Sequence, residues 1–127
     1  MQLTLERPDY AYALRSADGR HAQVNDRSLT RSFIIAPDTL LDDWPVSNIA
    51  ALQVADLQPL LDLKPDVILL GSGAAQAFAP AAVQAACLSQ GIGIECMANA
   101  AAARTYTVLA SEGRRVAAGF VLKSASA

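Results

Sequence analysis

Tyr10, Tyr12 and Leu14 alternate with Ala11, Ala13 and Arg15, the period of two expected of a strand with one buried face. Asp18-Gly19 follows as a type I′ turn signal before His21 to Val24, so this region predicts a β-hairpin. Ser32-Phe33-Ile34-Ile35 reads as a third strand stopped by Pro37. The polar stretch to Pro45, with Asp38, Asp42 and Asp43, reads as a surface loop anchored by Trp44. Ile49 to Val54 is apolar without a clear period and is assigned to a short strand.

From Asp56 the period changes. Asp56 is placed as an N-cap, and Leu57, Leu60 and Leu61 at i, i+3 and i+4 predict a short helix that ends before Pro65. Val67 to Leu70 has no polar alternation, which predicts a strand covered on both faces. A helix opens at Pro80, faces Val83 and Cys87 inward and stops at Gly91; Ile92, Ile94 and Cys96 then alternate as a strand. Asn99 is assigned as the cap of a helix running through Ser111, Gly113 ends it, and Val116 to Leu122 forms a last buried strand. The fold class is therefore α/β: a single layered domain over residues 1–127 with a mixed sheet, N-terminal antiparallel strands that extend it, and a C-terminal β-α-β-α-β half. Residues 124–127 read as a frayed tail.

Composition narrows the function classes. A 127-residue chain that is 53% hydrophobic and 17% charged has material for one core. With net charge -2 and no basic run interleaved with aromatics, nucleic acid is not expected as a partner. The apolar stretch Val67 to Cys87 is interrupted by Gly71, Gly73 and Pro80, so no membrane span is expected. The opening Met1 to Asp9 carries no export pattern, so a cytoplasmic location is expected. Cys87 and Cys96 read as free buried thiols. Oligomeric state is left as monomer or weak dimer, with sheet-edge pairing by the N-terminal hairpin as the dimer route.

The chemistry-bearing positions form two clusters. Gly71-Ser72-Gly73 follows a buried strand and precedes a helix, the place where an open parallel sheet binds ligands. Gln76 occupies the position of the third glycine of a dinucleotide fingerprint, and no Gly-Lys-Ser/Thr follows, so a tight turn is the commoner explanation of these glycines. The second cluster is Asn99 to Thr107. On its helix, Ala101, Thr105, Val108 and Leu109 are read as one buried stripe, with Arg104 beside it and partly buried. Arg104 suits a carboxylate or phosphate, although pairing inside the protein is the commoner role. The lone histidine, His21, lies by the hairpin turn and supports no nucleophile dyad; no metal or cofactor constellation is recognised. Asp9, Asp66 and Glu95 are acids that would have to converge in space to act as an acid/base pair.

Pro65-Asp66-Val67-Ile68-Leu69-Leu70-Gly71-Ser72-Gly73, then Glu95-Cys96-Met97, then Ala103-Arg104-Thr105-Tyr106-Thr107-Val108-Leu109 with Glu112-Gly113-Arg114 resemble a family of small uncharacterised α/β domains. That family includes mitochondrial respiratory complex I assembly factor 3. The resemblance covers nearly the whole chain, with Asn99 where the family tends to carry threonine and Thr107 where it tends to carry asparagine. It implies a compact layered domain without established catalysis and, in the mitochondrial member, assembly through protein contacts. The positions it carries over are Gly71, Gly73, Arg104, Thr105 and Tyr106. The expectation is a non-catalytic interaction or assembly domain with a protein partner. The alternative is a small-molecule or anion-binding domain using Gly71, Ser72, Gly73, Asn99, Arg104, Thr105 and Tyr106.

Overall fold

The computed structural model describes residues 11–123. Tyr10, Asp9 and the 124–127 tail lie outside the described residues. Two sheets form. Strands β1 (Leu14–Ala17), β2 (Ala22–Val24) and β3 (Arg27–Leu29) make an antiparallel sheet in that order. Strands β4 (Phe33–Ala36), β5 (Thr39–Leu41), β6 (Val67–Gly71), β7 (Gly93–Met97) and β8 (Val116–Phe120) make a mixed sheet ordered β5-β4-β8-β6-β7. β6 runs parallel to both β7 and β8, and β4 antiparallel to β8 and β5. The helices are α1 (Gln58–Leu61), α2 (Ala81–Leu88) and α3 (Asn99–Ser111).

The C-terminal β6-α2-β7-α3-β8 half follows the predicted order. The crossover from β6 moves outward to β7, and the next returns past β6 to β8. Two crossovers of the same hand that run in opposite directions must place their helices on opposite faces. Accordingly Leu69, Val116, Ala118 and Phe120 pack under Ala102, Ala103 and Tyr106 of α3 and under Leu14, Ala22 and Val24 of the small sheet. On the other face Ile68, Leu70 and Ala117 meet Val83 and Cys87 of α2, Leu57, Leu60 and Trp44. A sheet covered twice needs apolar residues at both parities, which explains the unbroken run in β6.

The N-terminal half departs from the expectations at four places. The first hairpin belongs to a separate sheet, and only β4 and β5 extend the large one. Its Asp18-Gly19 turn is not type I′, because neither residue has positive φ. Asp18 Oδ1 instead accepts the backbone N–H groups of Arg20 and His21 at 2.8 and 2.7 Å, an Asx-type turn. Past Pro37 the chain makes a two-residue turn into β5 rather than a loop, with Ala36 opposite Thr39. Ile49 to Val54 is not a strand: Ile49–Ala51 and Val54–Leu57 are 3₁₀ turns, and Asp56 accepts the Gln53 N–H at 2.8 Å from inside the second turn instead of capping α1. Trp44 is anchored as expected. It is buried, donates its indole N–H to the Asp56 carbonyl at 3.1 Å, and lies so close over β8 that a Cβ at Gly119 would stand 2.6 Å from its ring.

Candidate functional site

Opposite-face crossovers from β6 and β7 create a switch point at their carboxyl ends, where open α/β sheets bind ligands. Gly71 closes β6, Met97 closes β7, and Asn99 begins α3 between them. The expectation that Asn99 caps α3 fails: Ala98 is the cap and Asn99 the first helical residue, and its fully buried side chain turns away from its own helix. Oδ1 accepts the Gly73 N–H at 3.0 Å, while Nδ2 donates to the carbonyls of Asp18 and Val121, each at 2.8 Å. The Asn99 N–H completes the exchange by donating to the Gly73 carbonyl at 2.8 Å.

This cross-link sets the identity of its neighbours. A Cβ on Gly71 would stand 2.3 Å from Asn99 Oδ1 and 2.6 Å from Phe120, whose ring stacks on Phe33 at 5.1 Å. Gly73 has φ +109, a conformation that glycine alone adopts without strain. The hairpin tip closes from above, since Gly19 meets Ala74 and its carbonyl accepts the Lys123 N–H at 2.9 Å. Ser72 is drawn in as well: its N–H donates to the Met97 carbonyl at 2.8 Å, and its hydroxyl accepts the Ala77 N–H at 2.9 Å while donating to the Ala75 carbonyl at 2.8 Å. Gly71 and Gly73 are buried, and the amides of Ser72 and Gly73 are engaged within the protein.

α3 presents a different surface along its length. The stripe buried in the core is Asn99, Ala102, Ala103, Tyr106 and Ala110, not the expected Ala101, Thr105, Val108 and Leu109. Val108 is 54% exposed and Arg104, expected to be partly buried, is exposed. α3 lies against a sheet below and the small β1–β3 sheet beside it, packing Ala102, Ala103, Ala110 and the large ring of Tyr106 into that double contact, with Leu109 at its edge. Its outer stripe of Ala100, Arg104, Thr107 and Val108, with buried Ala103 beneath, forms one wall of an open groove of about 590 Å³. Residues 14–17 of β1, including Leu14, Arg15 and Ala17, form the other. The Thr107 hydroxyl donates to the Leu14 carbonyl at 3.2 Å, and Arg15 Nε donates to the Asn25 carbonyl at 3.2 Å.

The predicted site residues therefore separate. Gly71, Ser72, Gly73 and Asn99 come together at the switch point. Arg104 lines the groove, whose lining includes none of those residues. Thr105 is half-buried and donates to Met97 Sδ at 3.4 Å; Tyr106 is 1% exposed within the core. Asp66 is exposed ahead of β6 and Glu95 exposed on β7, three register positions away from each other. Both cysteines are buried and free, and burial, reinforced by Cys96, pushes the Cys87 thiol up. Two features bearing on the groove were missed from sequence. The Asn25 turn between β2 and β3, with φ +51, had a signal in Asn25-Asp26; the groove had none, because its walls lie more than eighty residues apart in the chain.

Among the described residues no helix is long and apolar enough to cross a membrane. The chain is similar over its whole described fold to solved structures. It shares 57% identity with a Xanthomonas campestris protein, XCC1710, covering 96% of this chain and 92% of that one at a TM-score of 0.82. With a Bordetella pertussis protein described as a Mth938-like domain, it shares 25% identity over 99% and 96% of the two chains, at a TM-score of 0.81. It also matches an uncharacterised protein of Rhodobacter capsulatus at 45% identity over 56 residues, spanning 45% of that protein's length. A family model described as a protein of unknown function (DUF498/DUF598) matches residues 14–121, and the chain belongs to that family.

Proposed function

We propose that the domain is a non-catalytic protein-binding module whose docking face is the groove between β1 and α3. One observation carries this reading: the switch point is filled by the protein's own Asn99, Gly73 and Asp18, whereas the groove leaves an apolar wall with Val108 and Arg104 facing solvent. The resemblance to a family containing a respiratory complex I assembly factor supports an assembly task, which proceeds through protein contacts. The test is in-cell cross-linking of the full chain and its Val108→Glu variant. A single protein cross-linked through residues 14–17 or 100–108, and lost in the variant, is the expected result. Cross-links that avoid both segments, or a stoichiometric small molecule with no protein attached, would overturn it.

The alternative of an anion or small molecule held by Gly71, Ser72 and Gly73 with Asn99 and Arg104 draws its support from the position of the loop at the carboxyl ends of β6 and β7. A native-state ligand at a hundred times its dissociation constant stabilises by about 2.7 kcal/mol. A thermal-shift screen of nucleotides, phosphates and carboxylates decides between the readings; on the proposed function nothing in it shifts the melting temperature.

A further inference from the structure

We infer that the β1–α3 groove receives an acidic segment of a partner protein anchored by an aliphatic side chain, with Arg15 and Arg104 determining its specificity. The inference rests on the reading of the domain as a protein-binding module and gives that partner its chemistry. Charge is the first argument. The chain as a whole carries net charge -2, yet the described residues lining the groove include two arginines and no Asp or Glu. Two arginines outside the groove are engaged elsewhere: Arg27 pairs with Asp42 at 2.8 Å, and Arg115 donates to the Lys64 carbonyl. Arg15 donates its Nε to the Asn25 carbonyl at 3.2 Å, a contact that orients its guanidinium beside the groove. A guanidinium is a planar fork suited to bidentate contact with a carboxylate, so two of them flanking one channel select acidic side chains.

Shape is the second. Leu14, Ala17 and Ala103 are buried at 5, 8 and 6% exposure and form an apolar floor, while Val108 stands at its border. Small side chains at 17 and 103 leave room that a partner's leucine or isoleucine fills. The α3 wall spans positions 100 to 108, two helical turns or about 12 Å at 1.5 Å per residue, which matches a short segment rather than a broad interface. Opposite charges at the border steer such a segment and fix its register more than they add affinity.

The experiment is a display selection of random dodecapeptides against the full native chain, followed by affinity measurement for the best binders. Recovered segments enriched in Asp or Glu beside Leu or Ile are expected. Their binding should weaken about tenfold or more on the Arg15→Gln, Arg104→Gln double substitution, and should also weaken as salt is raised. Both arginines are exposed, so the double variant is expected to keep the wild-type melting temperature, which is measured alongside. Segments without acidic enrichment, or segments that bind the double variant as well as wild type, overturn the inference. So does saturation of the groove by decanoate when no peptide competes for it, which would make it a fatty-acid site. If Val108→Glu abolishes binding but the double variant does not, the docking face stands and the charge inference fails. If neither variant changes binding, both readings fail.

Discussion

At its first residue α3 turns its polar atoms inward, where Asn99 joins the loop after β6, the tip of the first hairpin and the end of β8. Along its outer stripe the same helix leaves Ala100, Arg104, Thr107 and Val108 to solvent beside β1. The two regions invert the usual signals. The glycine loop has the sequence of a binding loop and the hydrogen bonding of a closed joint, while the groove has no motif and an open apolar wall. A glycine after a strand thus marks a close approach of two parts of the chain, and which two parts is decided by the fold. Gly71 has no room for a Cβ because Asn99 and Phe120 fill that space.

Gly71→Ala tests the closed joint most severely. The added methyl meets Asn99 Oδ1 and Phe120 in a packed layer, and a loss of about 3 kcal/mol in urea unfolding is expected. A destabilisation under about 0.5 kcal/mol would mean that the loop has room and that the switch point can open. Asn99→Ala comes next. It strips hydrogen-bond partners from the Gly73 N–H and from the Asp18 and Val121 carbonyls, at a cost of about 2 kcal/mol by the same measurement. The pair sharpens the contrast as a cycle. With Asn99 already truncated, Gly71→Ala should cost about 1 kcal/mol less than in wild type, Phe120 remaining as the other obstacle.

The groove should answer in the opposite way. Val108→Glu changes an exposed position, so stability should move by less than about 0.5 kcal/mol while the cross-linked partner is lost. A large loss of stability would instead make Val108 a structural residue and undo the contrast. The smallest effect concerns pH. The N–H groups of Arg20 and then His21 hold the Asp18 carboxyl below its ordinary value. A depressed folded value contributes stability above the unfolded value, and this is lost as pH falls through the folded one. Asp18→Asn should therefore lower stability slightly at neutral pH and converge on wild type as pH falls through the folded value; Asp18 is fully exposed, so the change is small.

The C-terminal half was legible because its signals are local. An unbroken apolar run in β6, Pro80 at the start of α2, and Gly91 and Gly113 with φ of +72 and +77 after α2 and α3 each report their own backbone. β5 was missed because a three-residue edge strand carries too few positions to show a period, and Ile49 to Val54 was misread because an apolar run split between two short 3₁₀ turns has none. The error on α3 is more instructive. Hydrophobicity selects Val108 and Leu109 for the core, but which face of α3 is buried depends on the two sheets it packs against: Tyr106 and three alanines go inward, Leu109 packs at the edge and Val108 stays exposed, and the second sheet is formed by residues seventy or more positions earlier.

The sequence by itself determined the α/β class, the order of elements from β6 to β8, and two free buried thiols, since each follows from period, propensity or composition along the chain. Tertiary structure alone decided that Asn99 is a cross-link and not a cap, with partners 22, 26 and 81 residues away, and that Arg104 belongs to a groove rather than to the glycine loop. The physical reason is the same for both: an asparagine amide or an arginine fork takes its role from whichever groups the fold brings within about 3 Å, and neither side chain encodes that distance locally.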